Sequence, residues 1–372
     1  MKKLLVLLLT IAILMGMVVV ATSCKKPTTP TYEIALITDK GSIDDKSFNQ
    51  GAWEGVLQYA TENKISHKYY KPLEVTTDAY VETIDLAVQG GAKVIVCPGF
   101  LFEPAIFRAQ NDYPDVKFIL LDGFPNNQDY EGDFKSEIKD NVYSVFYAEE
   151  QSGFLAGYAA VKDGYRKLGF MGGMAVPAVV RFGHGFVQGA NNAANELTLA
   201  DDAIEIKYLY TGDFKATPDV QARAATWYTG GTEVIFACGG AVGDSVMAAA
   251  EAGTNKKVIG VDVDQASESA TVITSAMKML KKSVYDALTK NYQNKFPGGE
   301  SQTLAADVGG IGLPMGTSKF TTFNQAQYDA IFNKLKANEI AITKDMKEDK
   351  SVIVTDLVVP KVKLISEELP KA

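Results

Sequence analysis

Residues 91–99 read GAKVIVCPG and residues 231–239 read GTEVIFACG; residues 117–122 read KFILLD and residues 257–262 read KVIGVD. Both pairs are offset by the same 140 residues (231 − 91 and 257 − 117). Each block is a short apolar run rich in β-branched residues and closed by Gly or Asp, as expected of a strand buried on both faces that ends in a turn. Equal offset over two separate blocks points to internal duplication. Around the first pair, residues 32–38 (YEIALIT), 92–97 and 116–121 read as strands, while residues 48–62 and 79–89 space their apolar side chains as helices do. Strand, helix, strand in that order predicts a parallel sheet covered on both faces. Doubled, it predicts an α/β protein of two doubly wound lobes with a ligand cleft between the carboxyl edges of their sheets.

Composition agrees with that size. With 372 residues, 47% hydrophobic and 22% charged, the chain can fill two globular cores, which excludes a mainly disordered or collagen-like protein. Lys and Arg number 37 against 45 Asp and Glu, a net charge of −8 without a basic block, which argues against nucleic acid as a partner. Two histidines, His67 and His184, and three cysteines, Cys24, Cys97 and Cys238, form no cluster with zinc-site spacing, so neither metal nor cofactor is expected. Cys97 and Cys238 each end an apolar run and read as buried thiols rather than a disulfide.

The amino terminus reads as an address. Met1-Lys2-Lys3 and the apolar run of residues 4–21 have the layout of a bacterial secretory signal over residues 1–23, with a transmembrane anchor as the alternative. Ala21-Thr22-Ser23-Cys24 resembles a lipobox, with Ala21 where Leu is usual. Cys24 is the expected lipidation site, and residues 24–31 form a polar, proline-bearing tether. That places a globular body on the cell membrane, facing the periplasm or exterior.

The densest segment is residues 38–55, TDKGSIDDKSFNQGAWEG. Asp45 or Ser47 is expected to cap the helix that follows, which leaves Asp39, Phe48 and Asn49 unexplained. An aromatic beside an amide at a helix start offers a stacking face and a donor–acceptor pair, as a flat heterocycle needs; otherwise Phe48 is core. Asp122 and Asp262 end equivalent strands and would each aim a carboxylate at the cleft, whereas either alone would pass for a cap or turn residue. Phe182 and Phe214 are further aromatic candidates, Phe214 at the cleft edge of the second lobe opposite Phe48. The glycine pairs 172–173 and 239–240 follow strands and would let a ligand approach the backbone, without the full dinucleotide fingerprint. Asp44 and Asp45 sit too close in one loop to flank a glycosidic bond, and neither a GxSxG elbow nor a P-loop is found.

Taken together, TDKGSIDDKSFNQGAWEG, LLDG at 120–123, NVYSVFYAEEQSGFLAGYAA at 141–160, IGVDVDQ at 259–265 and VITSAMK at 272–278 resemble the basic membrane protein family. The resemblance runs from Tyr32 to about Pro314. Members are lipid-anchored substrate-binding proteins of bacterial ABC importers, and the chain is similar to the purine nucleoside receptors among them. It implies a type I periplasmic-binding-protein fold and a monomer that delivers a nucleoside to permease and ATPase subunits. Carried over by motif, ligand contacts fall at Asp39, Phe48, Asn49 and Asp122 in one lobe and at Phe214, Gly240, Asp262 and Lys278 in the other. Phe48 and Phe214 would stack on the base, Asn49 and Asp122 bond its edge, and Asp262 with Lys278 hold the ribose. Two departures border the implied base pocket: the family's F-[NS]-D-P reads Phe214-Lys215-Ala216-Thr217-Pro218-Asp219 here, and its GGTGxG reads Gly239-Gly240-Ala241-Val242-Gly243-Asp244.

Lobe boundaries follow from the type I arrangement. The first lobe is expected over residues 32–146 plus about 271–302, the second over 147–270 plus about 303–372. The hinge crosses after the strand at 141–147, near Thr271 and near Gln302. Two other classes remain open at this stage: a nucleoside-cleaving hydrolase, and a surface adhesin or chemosensory receptor on the same fold.

Overall fold

The computed structural model describes residues 31–344 and 354–367. The expected signal, lipidation at Cys24 and the tether up to residue 30 lie outside the described residues. Among the described residues no helix is long and apolar enough to cross a membrane.

The first lobe is built on β1 (Ile34–Ile37), β2 (His67–Tyr70), β3 (Val94–Pro98), β4 (Lys117–Leu121), β5 (Val142–Tyr147) and β11 (Glu300–Leu304), in the order β11-β5-β4-β3-β1-β2 and parallel throughout. Its helices are α1 (Phe48–Asn63), α2 (Thr77–Gln89), α3 (Glu103–Asp112) and α8 (Leu280–Tyr292). The second lobe repeats the scheme with β6 (Lys167–Gly172), β7 (Ile204–Tyr210), β8 (Val234–Cys238), β9 (Lys257–Asp262) and β10 (Val272–Lys278). Antiparallel β12 (Ile311–Gly312) adds to one edge and parallel β13 (Val362–Ser366) to the other, giving β12-β10-β9-β8-β6-β7-β13. Its helices are α4 (Glu149–Lys162), α5 (Pro177–Glu196), α6 (Pro218–Thr229), α7 (Val242–Glu251) and α9 (Gln325–Lys336). β3 and β8 are buried at every position, which explains why they read as unbroken apolar runs.

The duplication extends to backbone conformation. Gly91 and Gly231, Gly99 and Gly239, and Asp122 and Asp262 all have positive φ, each pair at the 140-residue offset. At the two glycines that close β3 and β8, φ is 118° and 141°, a region that side-chain-bearing residues rarely enter. Thr76 and Thr217 cap α2 and α6 alike, each hydroxyl accepting a backbone N–H three residues on at 3.2 Å.

One boundary moves. Val272–Lys278 pairs in parallel with β9 and so extends the second sheet as β5 extends the first. The return expected near Thr271 therefore falls at Met279, and the last crossing follows Leu304 rather than Gln302. An apolar strand at the end of a lobe carries no mark of which sheet it joins; only its pairing decides. Cys97 and Cys238 are free, buried thiols.

Helices α4 and α5 approach to backbone contact. A Cβ on Gly153 would lie 2.1 Å from the Phe182 carbonyl oxygen, and one on Gly157 2.0 Å from that of Phe186. Any larger residue would push α5 outward, and with it Phe182, whose ring reaches the cleft.

Candidate functional site: a cleft between the lobes

A cavity of about 470 Å³ opens between the carboxyl ends of the two sheets. Asp39, Phe48, Asn49 and Asp122 line it from the first lobe, and Phe182, Phe214, Gly240, Asp262 and Lys278 from the second. All nine residues singled out from the sequence thus meet in one space. Lys215, Ala216, Ala241 and Asp244, from the two segments that depart from the family pattern, also line it.

The loop after β1 is organised by Asp45. Its carboxylate accepts the backbone N–H groups of Ser47 at 2.9 Å, Asn49 at 3.0 Å and Gln50 at 3.1 Å, and so caps α1, while Ser47 makes no side-chain cap bond. Asn49 Nδ2 donates to Asp39 Oδ1 at 2.9 Å and to Asp45 Oδ2 at 2.8 Å, and its Oδ1 accepts the Asp39 N–H at 3.2 Å. Both amide hydrogens are therefore engaged inside the loop. The amide, expected to face a ligand, instead braces Asp39, whose Oδ1 also accepts the Gly41 N–H at 2.8 Å. Burial pushes the Asp39 carboxyl up to about 6 against these bonds, and it pushes Asp45 up as well.

Three rings face the cavity from different elements. Phe48 stands at the start of α1, Phe182 on α5 crosses Phe236 edge-to-face at 5.9 Å, and Phe214 follows β7. The space over the glycine pairs is already filled: a Cβ on Gly173 would meet Phe214 Cδ1 at 2.4 Å, and one on Gly239 would meet it at 2.9 Å. The Phe214 ring thus packs over Gly173 and Gly239, while Gly239 and Gly240 also line the cavity. Gly240, with φ 52°, turns the backbone beneath Phe214, whose carbonyl accepts the Ala241 N–H at 2.9 Å.

Lys278 is the cation of the floor. It ends β10, is 3% exposed, and its Nζ lies 4.8 Å from the Phe48 ring centroid and 5.3 Å from that of Phe182. Its nearest carboxylate is Asp122 at 2.5 Å, followed by Glu149 at 3.0 Å and Asp262 at 4.0 Å. The pairing expected with Asp262 is thus closer with Asp122. Burial alone would strip the ammonium, but Asp122, Glu149 and Asp262 outweigh it and hold the proton more firmly than on an ordinary lysine. Burial raises Asp122 and Asp262 in turn, with Lys278 pulling the other way. Asp122 Oδ1 is buried without a hydrogen-bond partner and lies in a residue that lines the cavity.

Two participants escaped the sequence reading. Ser47 Oγ donates across the cleft to Asp262 Oδ2 at 2.5 Å, and Glu149 backs Lys278 from outside the cavity lining. Serine near a helix start and acid in a first helical turn are the commonest occupants of those places, so neither carried a signal.

The chain is similar to known proteins over most of its length. The Bmp family, described as ABC transporter substrate-binding protein PnrA-like, matches residues 33–347. The ABC transporter nucleoside-binding protein BmpA of Lactococcus lactis subsp. cremoris is 31% identical over 81% of this chain and 87% of its own. Basic membrane protein B of Borreliella burgdorferi is 27% identical over 87% of this chain and 91% of its own. Among solved structures, a solute-binding protein of an ABC transporter system from Aeropyrum pernix K1 superposes with a TM-score of 0.72 at 21% identity, covering 86% of this chain and 95% of that one, a likeness of fold. The chain belongs to the Bmp family of PnrA-like ABC transporter substrate-binding proteins.

Proposed function

We infer that the chain captures a nucleoside, preferentially a purine nucleoside, between its lobes and delivers it unaltered to the permease of an ABC importer driven by ATPase subunits. A lipid on Cys24 holds it to the membrane, facing the periplasm or exterior. The observation that carries the reading is the pairing of rings and carboxylates from opposite lobes around one cavity of about 470 Å³. Phe48 and Phe214 clamp the base, which by analogy with other base–aromatic contacts contributes roughly 1–3 kcal/mol per stack. Asp39, rather than the engaged amide of Asn49, takes the edge of the base. Asp122, Asp262 and Lys278 take the ribose hydroxyls, because charge-assisted bonds to hydroxyls are strongest where water is excluded. A ligand touching both lobes favours the arrangement in which they meet, the form a permease would read.

Titration calorimetry of the purified chain with inosine, guanosine, adenosine, uridine, free bases and ribose tests this. Heat is expected for the ribonucleosides, strongest for purines, with no free base released on prolonged incubation. Silence from every ribonucleoside while an unrelated solute binds would end the reading, and catalytic release of base would replace it with a hydrolase.

A further inference from the structure

Glu149 opens α4 immediately after the first crossing between lobes. It is 1% exposed, and neither carboxylate oxygen has a hydrogen-bond partner. The charges that face it are the Lys278 ammonium, 3.0 Å from Oε1, Arg181 on α5, 3.7 Å from Oε2, and the like charge of Glu150 beside it on α4, itself paired with Lys344 at 3.5 Å. Around Lys278 stand Asp122 beyond β4, Asp262 at the end of β9, Glu149 and the Tyr147 ring of β5, with Cys238 of β8 and Asp45 farther out.

These partners divide by lobe. Glu149, Asp262 and Lys278 belong to the second lobe, and Asp122 to the first. Parting the lobes takes Asp122 away and leaves Glu149 at 3.0 Å as the nearer of two remaining counter-ions, Asp262 lying at 4.0 Å. Asp262 is also committed to Ser47 and to the cavity, whereas Glu149 is not among the cavity-lining residues. A buried ammonium that loses its counter-ions gives up its proton or swings toward water. One that keeps a fixed partner stays charged and in place.

We propose that Glu149 is the positioning residue of the cleft: it holds the Lys278 ammonium at the hinge in both lobe arrangements, so that Asp122 and the ligand close onto a cation already in place. Closure then sets three carboxylates around one ammonium. Burial raises the Asp122 and Asp262 carboxyls, and the negative charge of Glu149 adds to that rise. Only the affinity arm of the test rests on the nucleoside reading.

The first arm is a double-mutant cycle on the full, ligand-free chain, read by thermal unfolding. Glu149→Gln lowers Tm in the wild-type background and raises it, or leaves it unchanged, in a Lys278→Met background, where the carboxylate has lost its main partner. A similar loss in both backgrounds overturns the proposal. The second arm needs only Glu149→Gln, compared with wild type from about pH 8 down to about pH 5.5. Carboxyls raised by folding add stability as pH falls, and removing Glu149 lessens that gain, so the variant's deficit widens toward acid. A deficit constant across pH means a merely structural side chain and overturns the proposal too. In the third arm, inosine binds Glu149→Gln about tenfold more weakly and Glu149→Asp recovers part of the loss. A wild-type chain that binds no ribonucleoside defeats the nucleoside reading, while the two stability arms still decide for or against Glu149.

Discussion

The two lobes reach the cleft with matching strand ends and different side chains. Asp122 and Asp262 are equivalent, both at positive φ, and so are Gly99 and Gly239. One strand further along each sheet the match fails. Leu121 pairs with Val145 and Asp262 with Met277, so that Tyr147 at the end of β5 and Lys278 at the end of β10 occupy corresponding places. The first lobe has there a phenol, bonded to Ser283 at 2.5 Å, and the second has the Lys278 ammonium. Duplication thus supplied two acids facing each other, and divergence at one site supplied the cation between them. Two like charges brought together by lobe closure repel; a single ammonium belonging to one lobe turns the same approach into attraction.

The largest effect follows from removing that asymmetry. Lys278→Met leaves Asp122, Glu149 and Asp262 around an apolar chain end, and breaking a buried ion pair in this way costs about 3–5 kcal/mol. Chemical denaturation should show that loss, and calorimetry should find nucleoside binding abolished. A variant that is stable and still binds would mean that the acids share protons without needing the ammonium, and the comparison would fail at its centre.

Much of this arrangement was legible beforehand, for an identifiable reason. Offset blocks such as 91–99 and 231–239 encode strands buried on both faces, and a buried parallel strand leaves little freedom in sequence. The cleft followed, because residues closing such strands lie at the ligand-binding edge. Three things did not follow. The sheet joined by Val272–Lys278 depends on long-range pairing. The engagement of both Asn49 hydrogens depends on three side chains meeting within one loop. Glu149 stands in a first helical turn, where acids are commonplace, so its sequence position carries no signal of its role.

Of intermediate size is the contrast between the paired acids themselves. Asp122→Asn and Asp262→Asn both preserve positive φ, since asparagine tolerates it. Each should weaken ribonucleoside affinity by about 1.5–3 kcal/mol, the worth of a hydrogen bond to a charged group. A loss confined to one would show that the lobes, though duplicated in backbone, share the ligand unequally. The glycine pair sharpens the same point through stability. Gly99→Ala and Gly239→Ala each force a Cβ into positive φ at about 1–3 kcal/mol. The new methyl would lie 3.1 Å from Asp39 Oδ2 in the first lobe and 2.9 Å from Phe214 Cδ1 in the second. Similar falls in Tm are expected. The accompanying affinity loss should be larger for purine over pyrimidine ribosides only in Gly239→Ala, because only there is a stacking ring displaced.

The smallest effect lies at the cleft rim. Here the lobes differ in sign: Lys40 of the first meets Asp213 of the second at 3.0 Å, and Lys46 of the first meets Glu268 at 2.9 Å and Asp244 at 3.9 Å. The floor has its cation on the second lobe and the rim has its cations on the first, so closure forms ion pairs in both directions. The rim pairs are half-exposed, and such pairs contribute about 0–1 kcal/mol. Lys40→Ala and Lys46→Ala should therefore speed ligand release by less than about fivefold at low salt, and that difference should vanish near about 0.5 M salt, where screening reaches only a few ångströms. Stopped-flow dissociation measured at both ionic strengths checks this. An acceleration that persists at high salt would place the lysine against the ligand itself, a role open to Lys40 because it lines the cavity and closed to Lys46, which does not.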